Sequence, residues 1–168
     1  MKIGGENVFP LYSFDAAIEN APKVGIEITD FGMEHEPECI KKYYEGCATL
    51  ADMARKAASM EGVDFLSFRM EGGDPNGANK STEELIGELK EIADAVDLPL
   101  VVCGCKNVEK DAELFSKAAE ALNGKNAVIL SAKEENYKTV GAAAGLAYKQ
   151  IVGCLLYTSD AADDGESV

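Results

Sequence analysis

Val63-Asp-Phe-Leu-Ser-Phe-Arg-Met70 alternates apolar and polar positions, and the glycine-rich Glu71-Gly-Gly-Asp-Pro-Asn-Gly-Ala-Asn-Lys80 follows it. Leu85, Ile86, Leu89, Ile92, Ala93 and Val96 then recur at spacings of three and four, and Leu98-Pro-Leu-Val-Val-Cys103 closes the stretch. A period of two, a loop, a period near 3.6 and a second short apolar run spell strand, loop, amphipathic helix, strand. The same unit extends in both directions. Val24-Gly-Ile-Glu-Ile-Thr-Asp30 is a strand ahead of a helix with Leu50, Met53, Ala54, Ala57 and Met60 on one face. Downstream, a helix with Val108, Ala112, Phe115, Ala119 and Leu122 leads to the strand Asn126-Ala-Val-Ile-Leu-Ser131, then to an Ala/Gly-rich helix over Tyr137 to Lys149. Ser81-x-x-Glu84 and Ser131-x-x-Glu134 read as capping boxes, and Asn107 reads as a cap with Glu109 and Asp111 suiting the helix dipole. Gly62 and Gly124 stand where helices stop. Ile151-Val152 begins a possible fifth strand.

Four successive βα units imply right-handed crossovers and a parallel α/β sheet, with both faces of the strands covered. A doubly wound sheet and the first half of a (β/α)8 TIM-type barrel both satisfy this pattern. A complete barrel needs about 250 residues, more than the 168 present. Ahead of the first strand, Gly4 to Phe14 carries three aromatics and a proline, and is expected to form a short hairpin or plug under the sheet. No interdomain linker is evident.

The chain has 16 Lys plus Arg against 30 Asp plus Glu, a net charge of −14. Such a balance argues against nucleic acid or an anionic membrane as partner, since both require a basic face. At 46% hydrophobic residues, wholesale disorder is excluded. No signal-peptide pattern and no membrane-spanning apolar run is present, so a soluble cytoplasmic protein with reduced cysteines is expected. The last stretch is different. Cys154 to Asp163 back-translates to a sequencing-library adapter, so residues 154–168 are expected to be a non-native tail and residues 1–153 a partial barrel domain. Without the tail's four acids the net charge falls from −14 to −10.

In such folds ligands sit at the C-terminal ends of the strands, which points to the loops Asp30–Glu38, Glu71–Lys80, Gly104–Asn107 and Ala132–Asn136. The second is the most unusual. Gly72, Gly73 and Gly77 open conformations closed to other residues, while Asp74 and Asn76 add polar groups; the same text also reads as a plain turn. Neither phosphate-loop nor dinucleotide spacing is present. Cys103-Gly-Cys105 with His35 and Cys39 supplies four nitrogen and sulfur donors, but in no standard zinc spacing, and no metal site is assigned. His35 lies among Glu34, Glu36 and Glu38, which reads as a solvated acidic loop. With no Gly-x-Ser-x-Gly elbow either, no catalytic residue is assigned.

Gly4-Gly-Glu, Phe9-Pro, Val24-Gly-Ile-Glu, Gly73-Asp-Pro-Asn-Gly-Ala-Asn79, Leu98-Pro-Leu-Val-Val, Gly104-Cys105, Val108-Glu-Lys-Asp111 and Glu135-Asn-Tyr-Lys-Thr139 occur in this order. Together they resemble the delta subunits of acetyl-CoA decarbonylase/synthase complexes, the small subunits of corrinoid iron–sulfur proteins, from about Gly4 to Val152. The resemblance implies a (β/α)8 barrel related to pterin-dependent methyltransferase barrels. It implies a large (gamma) subunit that carries the [4Fe–4S] cluster and shares a cobamide with this chain. It further implies methyl relay between a methyl-tetrahydropterin and acetyl-CoA synthase, with synthase and methyltransferase components as partners. A stand-alone pterin-binding barrel methyltransferase is the alternative. Carried over by position, Asp74, Asn76, Asn79, Cys105, Asn136 and Tyr137 are expected to line the corrinoid or pterin side of the barrel mouth. The segment Phe31 to Cys47 departs from the family pattern. Members of the family also continue well beyond position 152, so strands five to eight are expected to be missing.

Overall fold

The structure is a computed structural model, and it describes residue 20 and residues 22–154. The expected hairpin over Gly4–Phe14, and all but the first residue of the expected tail, lie outside the described residues. Five strands, β1 (Gly25–Thr29), β2 (Phe65–Arg69), β3 (Leu100–Cys103), β4 (Ala127–Ala132) and β5 (Ile151–Cys154), form one sheet in the order β1-β2-β3-β4-β5. Every pair is parallel. The strands alternate with helices α1 (Glu38–Tyr43), α2 (Leu50–Ala58), α3 (Thr82–Ala95), α4 (Val108–Ala121) and α5 (Tyr137–Val140). The fifth strand is therefore present.

Sequential strand order decides between the two candidate architectures. Each right-handed crossover steps to the next strand in the same direction, which puts the connecting helices on one face; a doubly wound sheet must reverse direction to cover both. The result is a partial TIM-barrel-like fold. On the helix side, Ile28, Leu66, Phe68, Met70, Leu100, Val102 and Ile129 pack against Leu85, Leu89, Ile92, Leu114, Phe115 and Leu122 in one core. Contrary to the expectation of two covered faces, the other face is a trough of about 460 Å³, lined by Phe65, Ser67, Arg69, Val101, Cys103 and Val128 among others.

Local chemistry explains most element boundaries. Thr49 and Asp52 form a reciprocal capping box at α2, with Asp52 N–H donating to Thr49 Oγ1 at 3.1 Å and Thr49 N–H to Asp52 Oδ2 at 3.2 Å. Ser81 and Asn107 cap α3 and α4, accepting from the N–H groups of Glu84 (3.2 Å) and Lys110 (3.1 Å); at Ser81 this is the serine half of the expected capping box. Gly62 (φ 86°) and Gly124 (φ 79°) take the left-handed conformation in the turns that follow α2 and α4, a few residues beyond the helix ends at Ala58 and Ala121.

Three local expectations are corrected. Ser131 does not cap a helix: it stands at φ 82° inside β4, beside a bulge between Leu130 and Ala132, so the strand absorbs it before the chain turns. The Ala/Gly-rich helix is α-helical only over α5 and then widens into π-helical turns over Gly141–Ala147, where Ala144 alone is buried. Few large side chains anchor this segment in a core that would enforce ordinary helical packing. On α4 the buried stripe includes Asp111, Leu114, Phe115, Ala118 and Ala119, while Val108 and Ala112 are only half-buried. A hydrogen bond that turns Asp111 inward goes with this rotation.

Candidate functional site

Two of the loops at the C-terminal strand ends share a device, a buried carboxylate that accepts from a backbone N–H group. Just past β1, the Asp30 carboxylate is fully buried. Its Oδ1 and Oδ2 accept from Gly72 N–H at 2.9 and 3.1 Å. Lys80 Nζ lies 3.1 Å from Asp30 Oδ2, donates to the Asp30 carbonyl at 2.9 Å and to Glu88 Oε1 at 3.2 Å, and sits 5.5 Å from the centre of the Phe31 ring. Burial opposes the Lys80 charge, but the hydrogen bonds to Asp30 and Glu88 outweigh it and hold the ammonium above its ordinary pKa. Glu88 Oε2 is buried without a hydrogen-bond partner, and burial pushes the Glu88 pKa up despite Lys80.

The loop pinned by this cluster, residues 71–80, opens with a 3₁₀ turn over Glu71–Gly73. Its ends are tied by Lys80 N–H donating to Gly72 O at 2.8 Å. Inside it, Asp74 Oδ1 accepts from Asn76 N–H at 3.0 Å and from Asn76 Nδ2 at 3.3 Å. The Asp74 carbonyl accepts from the N–H groups of Gly77 at 2.9 Å and Asn79 at 3.1 Å. The expectation that its glycines supply left-handed backbone is not met: in this loop Asn79, at φ 51°, takes that conformation, as asparagine tolerates. Gly72 and Gly73 serve by their missing side chains. A Cβ at position 72 would run into the Asp30 carboxylate, and one at 73 would come within 3.0 Å of Leu85 and 3.1 Å of Leu114.

After β3 the chain folds back on itself. Cys105 N–H donates to Asp111 Oδ1 at 2.7 Å, and a Cβ at Gly104 would collide with the same carboxylate. Burial raises the pKa of Asp111 and lifts that of the Cys105 thiol to about 11. After β4, buried Asn136 accepts from Lys133 N–H at 2.8 Å and donates to Val108 O at 3.3 Å, tying this loop to the start of α4. Tyr137 is 44% exposed, with Lys138 Nζ 5.7 Å from its ring centre.

All six sequence-derived candidates therefore lie at the C-terminal ends of β2, β3 and β4, but they divide. Asn76, Asn79 and Tyr137 are exposed and Asp74 is half-buried, whereas Cys105 and Asn136 are buried at 4% and 3% exposure and engaged within the loops. Asp30, Lys80 and Asp111 organise this end and were not singled out for it from sequence. His35 packs edge-on to Phe31, ring centres 4.9 Å apart, and Cys39 is exposed. Cys103 lies on the trough side with its Sγ 3.6 Å from Ser67 Oγ, near the bidentate pair of Arg69 with Glu27 at 2.9 and 2.8 Å. Among the described residues no three His, Cys, Asp or Glu side chains converge as a metal site.

A family model described as CO dehydrogenase/acetyl-CoA synthase delta subunit matches residues 1–164. The chain belongs to this delta-subunit family. Among curated delta subunits of acetyl-CoA decarbonylase/synthase complexes, that of Methanothermobacter thermautotrophicus is 32% identical over 144 residues, 84% of this chain and 36% of the relative. The delta subunit of Methanocaldococcus jannaschii is 30% identical over 142 residues, 83% of this chain and 35% of the relative. That of Archaeoglobus fulgidus is 30% identical over 134 residues, covering 77% and 29%. The chain thus spans about a third of the length of these delta subunits. No helix among the described residues is long and apolar enough to cross a membrane.

Proposed function

We propose that the full-length protein is the small subunit of a corrinoid iron–sulfur protein, helping to hold a cobamide that relays a methyl group between a methyl-tetrahydropterin and acetyl-CoA synthase. The observation that carries this reading is the delta-subunit family match, and uncharged polar groups exposed at the barrel-type mouth support it. Asn76, Asn79 and Tyr137 present amides and a phenol to solvent at the strand ends. Such groups suit a ligand rimmed by amide side chains, because they hydrogen-bond to it without adding charge. Bound there, the cobamide would supply the cobalt that accepts and donates the methyl group. The chain's own part is to hold and shield: Asn76 and Asn79 bind from the 71–80 loop, Tyr137 from the far side, and the buried Cys105 and Asn136 fix the loops beneath them.

In this reading residues 1–153 are the first half of the barrel of a longer cytoplasmic subunit, and the non-native tail begins at Cys154, the residue that closes β5. The decisive experiment co-expresses the full-length gene with its large-subunit partner and follows corrin absorbance through purification. Co-elution of both chains with cobamide is expected; a full-length chain that stays alone and cobamide-free overturns the proposal. Methyl transfer from a methyl-tetrahydropterin to free cobalamin by the full-length chain alone would instead establish the stand-alone pterin-binding methyltransferase.

A further inference from the structure

We infer that Asp30 and Lys80 are positioning residues that lock the 71–80 loop in one shape, so that the rim bearing Asp74, Asn76 and Asn79 is formed before any ligand arrives. Its value for binding rests on the function proposed above; the lock itself does not. A fully buried carboxylate is costly unless it is paired and hydrogen-bonded. Asp30 meets that demand with partners 42 and 50 positions away in sequence, Gly72 and Lys80, both at the base of the same loop. The helix-side core does not explain the arrangement, since Asp30 follows the last β1 residue, Thr29, and its partners are a loop N–H and a loop ammonium.

The rest of the loop hangs from that base. Lys80 N–H closes the ring onto Gly72 O, and the interior bonds run back to Asp74. Asn76 and Asn79 have no cover of their own, so the pinned base is what limits their freedom. The absent side chain at Gly72 is part of the device, because any Cβ would displace the Asp30 carboxylate. Lys80 is the shared element, reaching β1 through Asp30 and α3 through Glu88. Ordering the rim in advance removes an entropic cost from binding.

The test compares the full-length wild type with Asp30→Asn, Lys80→Met, the Asp30→Asn/Lys80→Met double variant and Lys80→Arg by amide hydrogen exchange. The double variant replaces the ion pair with neutral groups of similar size, so that neither Asp30 nor Lys80 is left as an unpaired buried charge. Exchange in peptides covering 72–80 is expected to accelerate by about tenfold or more in the double variant, while α3 and α4 peptides stay near wild type. Lys80→Arg, which keeps the charge, is expected to restore slow exchange. Wild-type protection of 72–80 in the double variant, or equal acceleration everywhere, would overturn the lock. Cobamide retention by the complex is measured in parallel. If the wild-type complex binds none, the function proposed above fails while the exchange result still decides the lock; if it binds and the double variant binds equally well, the positioning role fails.

Discussion

The β2–α3 and β3–α4 loops, residues 71–80 and 104–107, solve one problem in two ways. Each presents backbone N–H groups to a buried carboxylate, and each needs a glycine where a side chain would strike that carboxylate. At the first loop the carboxylate is Asp30, donated by a neighbouring strand end and paired with Lys80. At the second it is Asp111, from the first turn of the following helix, held by the Cys105 N–H rather than by a lysine at its side, with burial raising its pKa. A carboxylate borrowed from elsewhere can hold a long loop open and presentable. One supplied by the loop's own helix draws a short loop shut, which is why Cys105 is buried and Asn76 is not.

The largest expected effect probes the steric half of this contrast. Gly104→Ala should cost about 3 kcal/mol or more, because the new methyl must expel a buried, hydrogen-bonded carboxylate. Gly77→Ala, whose Cβ would lie an ordinary 3.6 Å from Asp74 O, should change stability by less than about 0.5 kcal/mol. Denaturant titration of the full-length pair of variants checks this, and equal losses would erase the distinction between the glycines.

A smaller effect concerns pH. Asp111 and Glu88 both have raised pKa values in the folded state, each chiefly through burial. A carboxyl group raised in this way stabilises the fold fully below its unfolded value, and the contribution is lost as pH rises through the folded value. Stability from these two groups should therefore decline from about pH 4 upward. Asp52 and Asp64 act in the opposite sense, their pKa values lowered first by a hydrogen bond with Thr49 and with the Val24 backbone respectively; their contribution is lost as pH falls. Glu88→Gln should remove part of the decline and raise stability near pH 7 by up to about 1 kcal/mol, since an amide can occupy the site without a buried charge. A melting-temperature series over pH 4–8 reads this out; an unchanged slope in Glu88→Gln would show that the carboxylate is solvated.

The smallest perturbation is chemical labelling. Cys39 is exposed, while Cys103 and Cys105 are buried, and the Cys105 thiol, with a pKa of about 11, is almost wholly protonated near neutrality. Brief iodoacetamide treatment followed by peptide mass spectrometry should modify Cys39 and leave Cys105 unreacted until denaturant is added. Early labelling of Cys105 would mean that the closed β3–α4 loop opens readily.

Much of the fold was legible in the chain text because period-two and period-3.6 patterns are local. The strands beginning at Gly25, Phe65, Leu100 and Ala127, the caps at Ser81 and Asn107, and the stops at Gly62 and Gly124 all followed from neighbours within a few positions. The Thr49/Asp52 box was equally local but was missed, since its N3 residue is Asp rather than the usual Glu or Gln. Ser131-x-x-Glu134 failed for the opposite reason: the motif was present, yet pairing of β4 with β3 and β5 held Ser131 in the sheet. At the candidate site, the loop positions Asp74, Asn76 and Asn79 were legible from their Gly/Asn-rich setting. The burial of Cys105 and Asn136 was not, because it depends on Asp111 and on the start of α4.

The sequence by itself determined that this is a parallel α/β chain of repeated strand–helix units, because hydrophobic periodicity is written residue by residue, and its ordered motifs marked the delta-subunit family. Only the tertiary structure decided that the strands run in unbroken order with their helices on one side. Only it revealed that Asp30 reaches Gly72 and Lys80 across more than forty positions, and that two neighbouring loops differ in being held open or drawn shut. Those outcomes depend on which surfaces meet once the sheet curls, and the energy of a buried charge is set by the partners that folding brings to it.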